Sequence, residues 1–449
     1  MSISRRKLLQ SGAVAGAAGL LPGLLADASA EGRAERELAP ASDLAQRGGQ
    51  GGGQGGPLPA AFDSLKPLGD RVKPIPNEEF KGRIAHAQRL MAELKPDFTA
   101  LYMAPGTSLY YFTGIRWGTS ERVAGAVIPR MGEPLLFCPG FEESRFRELV
   151  RWPMEVRVWQ EDENPGELVV KWLGEKGFRT GRIGIEEVTR FAYYDKLRHA
   201  GTGFEYVSGD PVTVGCRGRK SEHELELMRL ACAATIDCYR AVFASVTEGM
   251  TQYDVLDLLS RGFQRMGLSG GGLVLVGKWA AQPHGTTIPQ KLMEGQVLLI
   301  DGGTSVEGYQ SDVTRCTVLG KAPDKIQKAF ETLSKAQRAA LDAARRGRLT
   351  GSVDDAARAA VAAGGYPGGY KVFAHRLGHG IGLDGHESPY LVRGSKDVLE
   401  AGMTFSNEPG IYIAEDFGLR LEDDMVVMPE GPAQLLTPSF SVSLEKPVG

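Results

Sequence analysis

The stretch FSNEPGIYIAEDFGLRLEDDM, from Phe405 to Met425, decides the fold of the second half of the chain. It consists of two short apolar segments around a central turn, a pattern that predicts a β-hairpin. Each segment also carries an acid, Glu408 in one and Glu422 in the other, at places where the pattern indicates core. An ionised carboxylate that is buried without a partner costs several kcal/mol or more. We therefore expect positive charge close to both acids.

A second predicted hairpin, QVLLIDGGTSVEGYQSDVTRCTVLG, begins at Gln296 and has the same design. Its first apolar strand ends on Asp301, and we expect Gly302 and Gly303 to turn the chain. The return strand begins at Asp312 and alternates between apolar and polar residues, as a half-buried strand does. Two hairpins, about a hundred residues apart, thus present two acids each.

A histidine-containing segment, AHRLGHGIGLDGHE, lies between the hairpins and places His379 in a Gly-rich, strand-like run. Four carboxylates and one imidazole form a donor set that suits a pair of hard or borderline divalent cations. A single Asp-Gly-Gly is more often a turn, and a lone buried histidine is usually a satisfied core residue. Four acids at the ends of apolar strands would, however, carry four separate desolvation costs without a cation. The spacing therefore predicts a dinuclear metal site.

Composition describes an ordinary soluble globular chain of 449 residues, with 42% hydrophobic and 24% charged residues, long enough for two or three domains. The net charge is -3, and no extended block of Lys or Arg indicates a nucleic-acid partner. The five cysteines show no CxxC spacing. We expect them to be buried thiols and predict no disulfide framework.

The N-terminus has the pattern of a targeting sequence. A basic segment with Arg5 and Arg6 precedes an Ala/Gly/Leu-rich run and small residues before Ala30. This pattern predicts a twin-arginine signal peptide over residues 1–30, hence a periplasmic or secreted protein without a membrane anchor after cleavage. An amphipathic first helix is the alternative. Residues 31–70, which include GGQGGGQGGP, are predicted to form a Gly-rich flexible tether.

The remaining chain divides into two predicted domains. Strand-like and helix-like runs alternate over residues 71–212, which indicates an α/β N-terminal domain. Residues 213–449 form the second domain. It opens with a capping box, in which Ser221 precedes Glu224 by three residues at the start of a helical apolar pattern.

The strings LIDGG, SDVTR, GHGIGLDGHE, NEPG and RLEDD resemble the metal-ligand segments of the pita-bread metallopeptidases, a family that includes methionine aminopeptidase, prolidase, aminopeptidase P and creatinase. The resemblance covers nearly all of the chain after the tether. It implies a creatinase-like α/β N-terminal domain followed by an α+β pita-bread catalytic domain. The complete ligand set argues against a creatinase, and the large N-terminal domain argues against a methionine aminopeptidase.

The resemblance also implies a role for each ligand. Asp312 and Glu422 would bridge two metal ions, Asp301 would bind one of them, and His379 with Glu408 would bind the other. A hydroxide that bridges the metals would attack the amide carbonyl, with Glu408 as general base and then acid. Carboxylate-rich ligation favours Mn²⁺, whereas Co²⁺, Zn²⁺ or Fe²⁺ serve other family members.

Four more residues match positions of the family pocket. His284 resembles a histidine on the substrate amine side, and His386 resembles one that stabilises the tetrahedral intermediate. His375 matches a substrate-pocket histidine, and Arg420 matches an arginine that orients neighbouring groups. The sequence departs from the family at Glu387, where relatives often carry Asp.

The implied substrates are proline-containing di- or oligopeptides, cleaved before proline by an Xaa-Pro aminopeptidase or an Xaa-Pro dipeptidase. Both activities stay open at this point. A dipeptidase needs a cation for the free carboxylate of proline, and Arg393 is the candidate. In relatives an aromatic side chain of the partner subunit helps to close the pocket, so we expect a homodimer in which Trp117 plays this part.

Other classes of function remain. The same scaffold could carry a non-peptidase hydrolase or lyase, because a fold does not fix a reaction. A metal-free binding module is disfavoured by the intact ligand set. A nucleotide site at GLSGGGLVLVG is disfavoured because its glycines precede a strand, whereas a phosphate loop follows one. No motif in the sequence indicates a serine or cysteine nucleophile.

Overall fold

The computed structural model describes residues 56–448. The predicted signal peptide and residues 31–55 of the predicted tether lie outside this range. The predicted end of the tether at residue 70 is wrong, because Phe62, Leu65 and Leu68 are buried in the main core. They lie in and around two short 3-10 helices, Ala60–Ser64 and Gly69–Arg71. Three large apolar side chains within seven residues are enough to bind this segment to the core.

The N-terminal half is built on a six-stranded mixed sheet with the strand order β4-β3-β2-β1-β5-β6. Its central strand β1 pairs antiparallel with β2 and parallel with β5. The strands are β1 Ala100–Met103, β2 Gly125–Pro129, β3 Leu135–Pro139, β4 Glu155–Trp159, β5 Gly181–Ile185 and β6 Phe204–Ser208. The sequence predicted β1, β2, β3 and β5. It missed the edge strands β4 and β6, which are mostly half-buried and therefore lack a strong apolar signal.

Helices cover both faces of this sheet. They are α1 Asn77–Glu93, α2 Thr107–Thr113, α3 Glu143–Glu148, α4 Pro165–Glu175, α5 Phe191–Ala200 and α6 Asp210–Arg217, with a 3-10 turn at Gly140–Glu142. One face, with Leu101 and Ile128, joins the main core. The other face, with Tyr102 and Phe137, packs with Trp172 in a separate cluster. Helices on both faces of a mixed sheet are the α/β architecture that the sequence predicted.

As far as residue 448, the C-terminal half contains four α-helices, two larger antiparallel sheets and one two-stranded sheet. The helices are α7 Glu222–Phe243, α8 Gln252–Arg265, α9 Asp324–Ala343 and α10 Thr350–Ala363. Helix α7 begins with the predicted capping box of Ser221 and Glu224. One sheet has the order β10-β8-β7, with β9 paired to β8, and the other has the order β12-β11-β13-β16-β17. Their strands are β7 Gly270–Val276, β8 Val297–Val306, β9 Tyr309–Gln310, β10 Val313–Val318, β11 Gly378–Gly380, β12 Glu387–Leu391, β13 Thr404–Asn407, β16 Asp423–Val426 and β17 Gln434–Leu435.

The sheets lie between the two helix pairs, and strand β8 shows how. Its residues Leu298 and Ile300 face the core that contains α7 and α8. The alternate residues Val297 and Leu299 face the core that contains α9 and α10. A strand that is apolar on both faces reads as a continuous hydrophobic run, which explains the sequence VLLI.

The glycines that follow Asp301 do not turn the chain, contrary to our prediction. Strand β8 continues through Gly302 and Gly303, and the turn lies at Glu307 and Gly308, both with positive φ angles. A Cβ atom on Gly303 would lie 2.0 Å from the carbonyl oxygen of Ser311. The glycines are therefore needed for close approach of neighbouring strands.

The segment from Phe405 to Met425 forms two nested hairpins where we predicted one. The outer hairpin pairs β13 with β16. The inner hairpin pairs β14 Gly410–Ile413 with β15 Phe417–Arg420 in a separate two-stranded sheet. Glu408 lies where the chain passes from β13 to β14, and Glu422 lies where it passes from β15 to β16. The two acids therefore face each other between the outer and the inner hairpin.

All five cysteines are buried and free, as predicted. Within residues 56–448, no helix has the length and apolar character needed to cross a membrane.

Candidate metal centre

The five predicted metal ligands converge in the C-terminal half. Asp301, Asp312 and Glu422 offer donor atoms within 4.8 Å of one another, and so do His379, Glu408 and Glu422. These two groups share Glu422, and a third group joins Asp312, His379 and His386. Two overlapping triplets are the arrangement that two neighbouring cations require.

Strand pairing places the first group. Asp301 pairs with Thr314 in the β8–β10 register, and Asp312 immediately precedes β10. The Thr314 hydroxyl lies 2.8 Å from Asp301 Oδ1 and 2.5 Å from Glu422 Oε2. The backbone N–H of Glu422 donates to the Thr314 carbonyl at 3.2 Å, which ties the second hairpin to the first. Asp312 and Thr314 occupy the same face of one strand, so the alternation of SDVTR could have identified Thr314, which we missed.

Strands β11 and β13 place the second group. Glu408 N–H donates to the carbonyl of Leu377 at 2.9 Å. Ser406 Oγ accepts from the backbone of His379 at 3.0 Å and lies 3.3 Å from Glu408 Oε1. His379 Nδ1 lies 3.1 Å from the Gly380 carbonyl, which only accepts, so the ring proton sits on Nδ1. The free Nε2 faces the carboxylates of Asp312 at 3.7 Å and Glu408 at 3.4 Å.

The carboxylates repel one another. Burial, followed by the charges of neighbouring carboxylates, raises the pKa of Asp312 and of Glu422 well above their usual values. Burial raises the pKa of Glu408 to about 8, and Asp301 adds to the increase while Arg420 opposes it. The four carboxylates and the neutral imidazole of His379 thus lie close to one guanidinium, that of Arg420. This oxygen-rich, negatively charged donor set fits two divalent cations such as Mn²⁺.

Arg420 supplies that guanidinium. It forms an ion pair with Asp301, and its Nε donates to Thr314 Oγ1 at 3.1 Å. Although burial acts in the opposite direction, Arg420 and the Thr314 hydroxyl hold the pKa of Asp301 below its usual value. Arg420 Nη1 also donates to the Pro283 carbonyl at 3.2 Å, which anchors the exposed segment that carries His284.

His375 lies at the edge of the site with both ring nitrogens occupied. Nδ1 is 2.7 Å from the Arg376 carbonyl, so it carries the proton, and Nε2 accepts from the Tyr412 hydroxyl at 2.7 Å. Burial and the Arg420 charge lower the pKa of His375 to about 3. The ring is therefore neutral and points its hydrogen-bonding atoms at the protein. We missed Tyr412 because its strand pattern reads as ordinary core.

His386 is exposed and stacks on His379, with ring centroids 3.6 Å apart. Arg376 Nη2 lies 3.2 Å from His386 Nδ1, and the Arg376 guanidinium also packs 4.1 Å from the ring centroid of Tyr390. Burial and then the charge of Arg376 lower the pKa of His386. A cation and a neutral imidazole thus stand side by side at the open edge of the ligand cluster.

Two predicted site residues lie apart from this cluster. Arg393 is exposed, with Nε 3.4 Å from Asp355 Oδ1 and its guanidinium 6.0 Å from the Tyr370 ring. Of the two arginines, Arg376 lies beside the ligand cluster and Arg393 does not. Trp117 packs edge-on against Phe146 at 5.2 Å and lines a cavity of its own chain.

A buried ion pair lies next to the ligand cluster and contacts its backbone. Arg315 and Asp423 are fully buried and 2.6 Å apart. Arg315 Nη1 also donates to the Glu422 carbonyl at 2.6 Å, and the Asp424 carboxylate accepts from the backbone N–H of Asp312 at 3.0 Å. These residues hold the backbone of two ligands. The sequence RLEDD contains the acids, but it does not show which of them face away from the site.

Comparison with known proteins agrees with this geometry. Residues 226–429 match the model of Metallopeptidase family M24, and residues 83–218 match that of the Creatinase/Prolidase N-terminal domain. The expected order, an α/β creatinase-like domain and then an α+β pita-bread domain, is thereby confirmed.

Individual relatives cover most of the chain. YkvY of Bacillus subtilis is 32% identical over 78% of this chain and 96% of its own length. The Xaa-Pro dipeptidase of Lactobacillus delbrueckii subsp. lactis is 32% identical over 74% of this chain and 90% of its own length. The crystal structure of dipeptidase PepE from Mycobacterium ulcerans superposes with a TM-score of 0.75 at 31% identity, covering 82% of this chain and 98% of that one.

Proposed function

Because the chain belongs to metallopeptidase family M24 and is an enzyme of the dipeptidase and prolidase type, we propose that it hydrolyses the peptide bond before proline in Xaa-Pro dipeptides. Its cofactor would be a pair of divalent cations, most suitably Mn²⁺, held by Asp301, Asp312, His379, Glu408 and Glu422. The observation that carries the choice of a dipeptide is the position of Arg376 beside His386.

The donor set supports a dinuclear centre. Glu422 belongs to two of the ligand triplets, and its own pKa and those of Asp312 and Glu408 are raised in the absence of cations. Two divalent cations, when bound, would supply a hydroxide nucleophile near neutral pH and polarise the scissile carbonyl. The neutral His379, with Nε2 directed at the carboxylates, is ready to bind a cation without first losing a proton.

The chain's own residues would handle the proton and the substrate. Glu408 would be the general base and then the general acid, because its carboxylate lies in the ligand cluster, 3.4 Å from His379 Nε2, and is 13% exposed. His386 would donate a hydrogen bond to the oxygen of the tetrahedral intermediate, and Arg376 holds it next to the ligand His379. His284, on the segment anchored by Arg420, would face the amine side of the substrate.

Arg376 would make the site bind dipeptides in preference to longer peptides. A dipeptide places its terminal carboxylate one residue beyond the scissile bond, where a longer peptide has a neutral amide. The Arg376 guanidinium lies beside His386, is only part buried, and is held in place by the Tyr390 ring. A charge-assisted hydrogen bond from Arg376 to that carboxylate would favour the dipeptide.

The test is hydrolysis of a matched pair, an Xaa-Pro dipeptide and the corresponding Xaa-Pro-Yaa tripeptide, by protein loaded with Mn²⁺. We expect cleavage of the dipeptide and its loss in Glu408→Gln, a change that keeps the side-chain shape but removes the base. Cleavage of the tripeptide in preference would replace the dipeptidase by an aminopeptidase P. Two bound metals without cleavage of either peptide would refute the proposal and favour a non-peptidase reaction on the same scaffold.

Three finer expectations accompany this proposal. Metal analysis of the purified protein tests Mn²⁺ against Co²⁺, Zn²⁺ and Fe²⁺. Light scattering tests the homodimer. Export by the twin-arginine route, inferred from residues 1–30, is tested by replacing Arg5 and Arg6 with lysine and following the protein between cytoplasm and periplasm.

A further inference from the structure

The loop of residues 382–386, which we call the His386 loop, borders two cavities. Leu383 lines a cavity of about 290 Å³ together with Tyr110 and Gln310. Asp384 and His386 line a second cavity of about 460 Å³. Leu383 anchors the start of the loop in the main core. Asp384 and His386 lie outside that core, where polar contacts fix the chain.

Those contacts come from the N-terminal half and the segment that follows it. Arg217, the last residue of α6, forms ion pairs with Asp384 and, at 2.7 Å, with Glu387 Oε2. Lys220 pairs with the other oxygen of Glu387, and the Thr107 hydroxyl donates to Asp384. Two carboxylates that flank His386 are thus held by two cations and one hydroxyl from outside the loop.

The ion pairs of Glu387 with Arg217 and Lys220 are shielded from water, whereas the side chain of Asp384 is 42% exposed. The side chains of Lys220, Glu387 and Arg217 are 3%, 9% and 12% exposed. Removal of one partner from a shielded pair leaves an uncompensated charge, so the remaining groups rearrange. Arg217 Nη2 contacts Asp384 and Glu387 at once while Nη1 faces helix α2, so a lysine could reproduce only part of these contacts. It also donates to Ser108 Oγ at 3.2 Å, which ties the group to helix α2.

The loop's position decides where the His386 ring stands. His386 immediately precedes Glu387, and its ring rests on the ligand His379. We propose that Arg217 is a positioning residue for His386, acting through the carboxylates of Glu387 and Asp384. This inference rests on the proposed function, in which His386 faces the reacting carbonyl. It assigns to the N-terminal half a part in the reaction geometry of its own chain.

The experiment compares Arg217→Gln with Arg83→Gln in the full chain loaded with Zn²⁺, which is diamagnetic. Arg83 is the matched control: it is 6% exposed and pairs with Glu224 at 3.2 Å, joining α1 to α7, and its hydrogen bonds go to residues outside the His386 loop. The His386 ring is observed by NMR of ¹⁵N-histidine-labelled protein, and its signal is identified by its loss in His386→Asn. Kinetics on the cleaved peptide and metal content are measured in parallel.

We expect Arg217→Gln to shift the His386 signal, keep two metals, and lower kcat about 10- to 100-fold with little change in KM, because misplacement by about 1 Å costs on this scale. Arg217→Lys should restore part of kcat. Arg83→Gln should lower the melting temperature and leave kcat and the His386 signal unchanged.

The proposal is overturned if the His386 signal of Arg217→Gln keeps its wild-type position, or if Arg83→Gln moves it equally. Should Arg217→Gln fail to fold, Glu387→Gln gives the same readout, since it removes one charge of the pair and keeps the side-chain size. The NMR measurement needs no turnover, so a wild-type protein that cleaves no Xaa-Pro peptide would refute the proposed function and leave the positioning role testable.

Discussion

The ring of His386 lies on the ring of His379, with centroids 3.6 Å apart and planes inclined by 21°. The two histidines are seven residues apart in a Gly-rich segment, yet their environments differ. His379 is buried with Nε2 aimed at carboxylates, whereas His386 is exposed at the cavity edge. One ring is thus suited to hold a cation and the other to meet the substrate.

Replacement of each histidine by asparagine should separate these roles. His379→Asn is expected to reduce bound metal from two ions toward one, because Nε2 is the nitrogen donor of its triplet. His386→Asn should keep both metals and lower kcat by about 100-fold or more, since it removes a hydrogen bond made in the transition state. Metal analysis after dialysis and steady-state kinetics measure the two effects. A loss of metal in His386→Asn would instead make His386 a ligand.

Replacement of the two arginines by alanine should distinguish the cation that binds the substrate carboxylate. Arg376→Ala is expected to lower kcat/KM for an Xaa-Pro dipeptide by about 10- to 100-fold, as loss of a hydrogen bond between charged groups implies. The same change should leave an Xaa-Pro amide, which has no carboxylate, much less affected. Arg393→Ala is the control and should behave as wild type, because its side chain pairs with Asp355. If kcat/KM fell equally for both substrates, Arg376 would act only by holding His386 and would not bind the substrate carboxylate.

The stability of the metal-free protein should fall as pH rises from about 6.5 to about 8. The pKa of Glu408 is raised from 4.5 to about 8, so in this window the native state holds a proton that the unfolded chain has already released. His375 and His379, with pKa values lowered to about 3, act in the opposite direction but only below about 6.5.

Thermal unfolding with a chelator and with saturating Mn²⁺, at several pH values, measures this effect. The gap between the two melting temperatures should widen toward pH 8, because cations remove the repulsion among the carboxylates. A metal-free melting temperature that rises across this window would contradict the assigned charge balance.

Gly303→Ala should destabilise the protein by about 1–3 kcal/mol or more, because the new Cβ would lie 2.0 Å from the Ser311 carbonyl oxygen. Gly271, its partner on the neighbouring strand β7, has no heavy atom within 4 Å of the same position. Gly271→Ala is therefore the matched control and should change the melting temperature little. If both variants lost a similar amount of stability, the flexibility of glycine in the sheet, and not the close approach of the strands, would explain the effect.

The sequence predicted the residues that converge in the candidate metal centre because their acids lie next to short apolar runs. Acids such as Asp301 and Glu408 terminate apolar runs, and a buried charge in that position has few explanations other than a cation. The pattern could not distinguish a turn from a strand at Gly302 and Gly303, since glycine serves both a turn and a close backbone approach. That difference depends on the neighbouring strand, which the local sequence does not reveal.

The residues that support the site were harder to predict. Arg393 and Arg376 are both arginines near the predicted ligands, and sequence spacing cannot say which side chain points inward. Arg315 and Asp423 are fully buried charges, but each resembles a surface residue until its partner, more than a hundred positions away, is known. The burial of Phe62 was likewise hidden, because a Gly-rich segment precedes it.

The nested arrangement of the two hairpins has a consequence for the order of folding. Each hairpin can close from local contacts, yet Glu408 and Glu422 become neighbours only when the inner and the outer pairs have both formed. Asp301 and Asp312 meet them only after the β8–β10 hairpin has docked, through Thr314 and Glu422. We therefore expect the cation site to form late, so that acquisition of tight metal binding during refolding reports complete assembly of the C-terminal half.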